Sequence, residues 1–121
     1  MAVESRHWKD LVAWQKSHEL ALSVYKLIAN FPKFEQYALA DQIKRAGSSI
    51  PANIVEGHSR YSKKDFSRFL YIARSSLEEL RYFLLLSKDL KYLSEKQYSD
   101  LEDECKQVSK LLNGLLKSLT S

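Results

Sequence analysis

Three histidines, His7, His18 and His58, are the first residues to weigh for chemistry, because imidazole is both a general base and a metal ligand. Their spacing suits neither job. No His-x-x-x-His pair occurs, and the one Glu-x-x-His, from Glu4 to His7, lies in the N-terminal tail. A di-iron bundle needs two such motifs on facing helices. Helical-bundle ribonucleases often carry an arginine four to six residues before a histidine, and neither His18 nor His58 has one. His7 follows only Arg6. No glycine-rich phosphate loop and no nucleophilic-serine elbow is present. The single Cys105 excludes an internal disulfide and a multi-cysteine zinc site. The expectation is a non-enzyme with no metal and no cofactor.

The cations are more informative. The formal charge is +4, but the stretch from Lys44 to Arg74 sets seven cations against Glu56 and Asp65, a local +5. From Ser94 onward four lysines face five carboxylates, giving −1. A basic middle attracts polyanions, and lysine and arginine neutralise phosphates without reading sequence. The candidate nucleic-acid residues are therefore Lys44, Arg45, Arg60, Lys63, Lys64, Arg68 and Arg74, with Tyr61 among them as a ring for an unpaired base. Lysines scattered over a solvated surface would show the same composition.

A third constellation is polar. Asn53 and Glu56 stand three apart, hence on one helix face, just beyond Pro51. Either they satisfy backbone and inter-helix groups loosened by the proline, or they belong to a polar site at the helix end.

Helices must position all of these. With Gly 3 and Pro 2 in 121 residues, the chain is too poor in turn formers for a β protein. One domain spans 1–121, with its core at about 8–119. The first helix is predicted from near Asp10 to Ala29, burying Leu11, Trp14, His18, Ala21, Tyr25 and Ile28, with Asn30 as its cap. In the second, Leu39, Ile43, Ala46, Ile50 and Ile54 form an apolar stripe that contains Pro51. The carbonyl that Pro51 crowds belongs to Gly47, the least bulky residue, so a kinked but continuous helix is expected. A break at Pro51 is the alternative. Gly57 suits a left-handed end.

Ser62 with Asp65 opens a third helix to about Leu90, and Ser94 with Gln97 opens a fourth. The fourth buries Tyr98, Leu101, Cys105, Val108, Leu112, Leu115 and Leu119. The third carries apolar residues over roughly half its circumference, more than a bundle needs. Phe69, Ile72, Phe83 and Leu86 are the candidate oligomer interface. The fold class is all-α, an antiparallel up-down-up-down four-helix bundle. The first seven residues lack a signal-peptide core and no apolar run spans a membrane, so a cytoplasmic protein is expected.

Gln42-Ile43-x-Arg45-Ala46 followed by Ser49-Ile50-x-Ala52-Asn53-Ile54-x-Glu56-Gly57 resembles the hallmark of the 23S ribosomal RNA intervening-sequence proteins. The likeness extends to Trp8-x-Asp10-Leu11-x-x-Trp14, to Pro32 with Glu35, and to Phe66-x-x-Phe69-Leu70-x-x-Ala73-x-x-Ser76-Leu77-x-Glu79-Leu80. It implies a bacterial four-helix bundle that assembles as a homopentamer. A related group, the accessory proteins of diversity-generating retroelements, implies RNA and a reverse transcriptase as partners. Two functions follow: an oligomeric scaffold binding RNA, single-stranded DNA or a ribonucleoprotein, or a protein–protein adaptor with no nucleic-acid role.

Overall fold

Leu39, Ile43, Ala46, Ile50 and Ile54, spaced by threes and fours, all lie in the core. They belong to α2 (Leu39–His58), which is unbroken through Pro51. The structure is a computed structural model and describes residues 7–120. Its other helices are α1 (Val12–Ile28), α3 (Lys63–Asp89) and α4 (Glu95–Thr120), with short 3-10 turns at Trp8–Asp10 and Lys33–Glu35. The contacting helix pairs run α1–α2, α2–α3, α3–α4 and α4–α1. That cyclic order, with short connections, is the up-down-up-down antiparallel bundle.

Pro51 has no N–H, so the Gly47 carbonyl loses its usual helical donor. Small residues ease the strain on the surrounding turn. A Cβ on Gly47 would come within 2.9 Å of Val24 Cγ2, so α1 and α2 meet closely there. Ser48 Oγ donates to the Lys44 carbonyl at 2.9 Å, and Ser49 Oγ lies 2.9 Å from Ser76 Oγ on α3.

The buried face of α1 departs from expectation. Leu11, Ala21 and Ile28 are buried as expected, but Ala13, Ser17, Leu20 and Val24 join them, where Trp14, His18 and Tyr25 were expected. The difference is one residue, or about 100° of helix. Ala13 and Ser17 are small enough to let α1 approach, and Ser17 Oγ satisfies itself on the Trp14 carbonyl at 3.0 Å. The large rings go to the rim. Trp14 stacks on exposed His18 with centroids 4.9 Å apart and meets Trp8 edge-on at 4.8 Å. His18 is thus a surface residue in a ring contact.

Two helix ends also differ. The helix α1 closes at Ala29, not Asn30. No glycine has a positive φ. Gly57 is a helical residue inside α2, kept small by packing. A Cβ there would meet Phe66 Cδ1 and Phe69 Cβ, each at 2.8 Å. Among the described residues the left-handed one is Lys91, with φ 66°. It ends α3 through paired bonds, Tyr92 N–H to the Ser87 carbonyl and Lys91 N–H to the Lys88 carbonyl, both 2.9 Å.

The α4 stripe is buried as read, from Leu101 to Leu119, with Tyr98 half-buried. Ser94 and Gln97 form the reciprocal capping box, at 2.9 and 3.0 Å. Polar clamps tie the helices together. Arg81 on α3 donates to Glu78 and to Glu102 of α4, and the Glu102 bond holds its guanidinium pKa above the ordinary value. Ser23 on α1 donates to Glu104 on α4 at 3.1 Å, while burial pushes that carboxyl's pKa up.

Gly57→Ala gains about 1 kcal/mol of helix propensity but overpacks a site that cannot yield, at about 1–3 kcal/mol. Net destabilisation in urea is expected. Gly114, in α4, has nothing within 4 Å of an added Cβ, so Gly114→Ala should stabilise by about 0.5–1 kcal/mol. A more stable Gly57→Ala protein would refute the close approach. Burial also pushes the Cys105 thiol up to about 12, so thiol reagents at neutral pH should modify it only as fast as the protein unfolds. Rapid labelling of the native protein would overturn the core placement.

Candidate nucleic-acid interface

The close approach at Gly57 makes the α2–α3 connection a tight hairpin of four residues, 59–62. Ser59 Oγ donates to the Glu56 carbonyl at 2.6 Å, and Arg60 N–H bonds the Gly57 carbonyl at 3.1 Å. Ser62 Oγ accepts from Asp65 N–H at 3.1 Å and starts α3. The hairpin tip has no room to fold inward, and Tyr61 is fully exposed at 110%.

The four cations here divide into two kinds. Arg60 and Arg68 place their guanidinium carbons 4.8 and 4.5 Å from the Phe69 ring centre, stacking on the aromatic that Gly57 admits. Each also has a carboxylate, Glu56 at 3.9 Å and Asp65 at 3.8 Å. Lys63 and Lys64 are exposed and form no ion pair among the described residues. They are the cations most available to an anion.

The remaining candidates lie elsewhere. Lys44 and Arg45 are in the first half of α2, about 20 Å from the hairpin at 1.5 Å per residue. Lys44 sits 6.0 Å from the Tyr25 ring centre, and Arg45 pairs with Asp41 at 3.0 Å. Arg74 donates to Asn113 Oδ1 on α4 at 3.1 Å and lies over the Tyr71 ring at 4.8 Å. Asn53 and Glu56 form no joint site. The Asn53 amide donates to the Ser49 carbonyl and hydroxyl at 2.8 and 2.9 Å, extending the Ser49–Ser76 link between α2 and α3. Glu56 faces Arg60.

Beside the hairpin, a groove of about 840 Å³ runs between the start of α3 and the end of α4, lined by Lys64, Ser67, Arg68, Tyr71, Ile72, Ser75, Leu119 and Thr120. Sequence reasoning missed it. A signal existed: Lys64, Arg68, Tyr71 and Ser75 are spaced by four, three and four, a stripe on the outward face of α3. The ring ladder around the start of α1 was missed too. His7, Trp8, Trp14 and His18 follow one another at 4.7, 4.8 and 4.9 Å.

Of the oligomer candidates, Phe69 is covered within the chain at 9% exposure. Ile72 is 40% exposed, while Phe83 and Leu86 are half-buried against the core. Among the described residues no group of three or more His, Cys, Asp or Glu is placed to hold a metal. Glu4, of the lone Glu-x-x-His, lies outside them. Among the described residues no helix is long and apolar enough to cross a membrane.

No curated protein matches the chain. A solved structure from Bacteroides thetaiotaomicron does, a protein of unknown function from the S23 ribosomal protein family. It shares 32% identity and a TM-score of 0.79, over 88% of this chain and 99% of that one. The profile of the 23S rRNA-intervening sequence proteins matches residues 9–114, nearly the whole bundle. The chain belongs to the 23S rRNA-intervening sequence protein family.

Proposed function

We propose that this protein is a non-enzymatic oligomeric scaffold that binds RNA, or an RNA–protein complex, through the hairpin end of the bundle. The observation that carries this is the placement of Lys63 and Lys64. They occupy the first turn of α3, a 27-residue helix, without carboxylate partners. A helix N-terminus is already the positive end of the macrodipole, so a cation there costs about 0.3–1 kcal/mol. Only Asp65 offsets it. Two lysines at that point suit a surface kept for a polyanion, and exposed Tyr61 adds a ring for an unpaired base.

Half-buried Phe83 and Leu86, one turn apart in the second half of α3, support self-association through that part of the helix. The family resemblance supports five subunits. A ring of subunits repeats the hairpin patch, and weak contacts then sum by avidity.

Lys63→Gln with Lys64→Gln tests the reading without touching the arginines that pack on Phe69. Single-stranded RNA should bind the native protein in a salt-dependent way. The slope of log affinity against log salt should become shallower by about 1.4 in the double variant, about 0.7 per lost phosphate contact. Thermal stability should hold or rise, because two cations leave the helix N-terminus. Unchanged slope and affinity would refute the site. Absence of binding at low salt would favour an adaptor that contacts protein alone.

Light scattering checks the second half of the proposal. A mass near the 14.1 kDa of one chain at micromolar concentration would overturn it.

A further inference from the structure

We infer that the groove between the start of α3 and the end of α4 is a subsite for one unpaired nucleotide, with its base against Tyr71 and its phosphate against Lys64 and Arg68. This rests on the nucleic-acid reading above and adds where a base, not only a phosphate, is held.

The groove combines three features that a nucleotide needs. Its lining is partly apolar and aromatic, from Tyr71, Ile72 and Leu119. It is also cationic: Lys64 has no ion-pair partner among the described residues, and Arg68 has only Asp65, at 3.8 Å. The lining also carries the hydroxyls of Ser67, Ser75 and Thr120, able to donate to or accept from a base edge or a ribose. A volume of about 840 Å³ lies in the range of small-ligand sites.

Tyr71 is prepared for stacking. The residue is 47% exposed, and the Arg74 guanidinium lies over one face of its ring at 4.8 Å. Asn113 of α4 holds that guanidinium at 3.1 Å. A ring already fixed by its neighbours loses little freedom when a base settles on it. Stacking on one aromatic ring tolerates any base, because every base has a π-face.

Charge and length favour this occupant over an acidic peptide helix. A docked helix needs apolar pockets over two or more turns, at i, i+4 and i+7. On α3 the apolar lining is only Tyr71 and Ile72, and one turn past Ser75 the surface turns acidic at Glu78 and Glu79. The cationic, aromatic stretch is about one nucleotide long.

The experiment uses the native protein, Tyr71→Ala and Tyr71→Phe. The probes are a short fluorescein-labelled oligoadenylate, an RNA duplex of equal length, and AMP followed by amide chemical shifts. Tyr71→Ala should weaken the single strand about tenfold or more, as loss of one stacked base does. The duplex should be affected little, and Tyr71→Phe should bind as the native protein does. AMP should shift amides at 64–75 and 119–120. Equal single-strand binding by native protein and Tyr71→Ala would overturn the subsite while leaving the lysine hairpin intact. If native protein binds neither polymer, the hairpin reading falls, and AMP shifts in the groove would still uphold the subsite. AMP shifts confined to Trp8, Trp14 and His18, or none at all, would overturn it.

Discussion

The missing side chain at Gly57 is the constraint from which the hairpin end follows. The backbone of α2 meets the base of a side chain there: an added Cβ would lie 2.8 Å from Phe69 Cβ, and that atom cannot move unless α3 moves. The approach fixes the register of α2 against α3. Two helical turns back along α2, that register brings Ser49 opposite Ser76, where Asn53 completes a polar link. The same approach seats Phe69 with its ring at the surface edge, ready to be roofed by Arg60 and Arg68. A buried Phe contributes about 1.5–3 kcal/mol, and two cation–π contacts add about 0.5–1 kcal/mol each. The arginines are thus employed in covering an aromatic. The lysines are left to solvent.

That division explains why formal charge is a poor guide to this surface. Seven cations lie between Lys44 and Arg74, yet Arg45, Arg60 and Arg68 have carboxylates within 4.0 Å and Arg74 is committed to Asn113. Exposed pairs of this kind stabilise by only a few tenths of a kcal/mol. They cancel much of the local field even so. Arginine suits the packed positions because its planar fork stacks and bonds at once, whereas a lysine head stays hydrated at the end of a flexible stem.

The parts of the fold set by apolar periodicity alone were legible in the sequence. In α2 and α4 the large buried residues are branched aliphatics, joined by small residues, Pro51 and Cys105, and they keep to the stripe that the spacing marks. In α1 two stripes compete one residue apart. Size decides between them: Ala13 and Ser17 permit close packing, while Trp14 and His18 are better accommodated at the rim, stacked on each other. Hydrophobicity ranks a tryptophan above a serine and so favours the wrong stripe. Gly57 misled for a similar reason. Glycine after a helical stripe signals a left-handed end as readily as a close approach, and only the position of Phe66 and Phe69 tells them apart. The groove was less accessible still, because its lining comes from the first turns of α3 and the last turn of α4, some fifty residues apart in sequence.

Antiparallel topology then gives this end of the bundle its character. The start of α1, the end of α2, the start of α3 and the end of α4 meet there, so neighbouring macrodipoles point in opposite directions. Their fields largely cancel at distances beyond a helix diameter. What survives at range is the side-chain field of Lys63, Lys64 and the partly offset arginines. Close up the balance reverses, since a phosphate at hydrogen-bonding distance meets the first turn of α3 before it meets the end of α2. The field at range and the field close up therefore have different sources in the structure, and both are positive at the same hairpin.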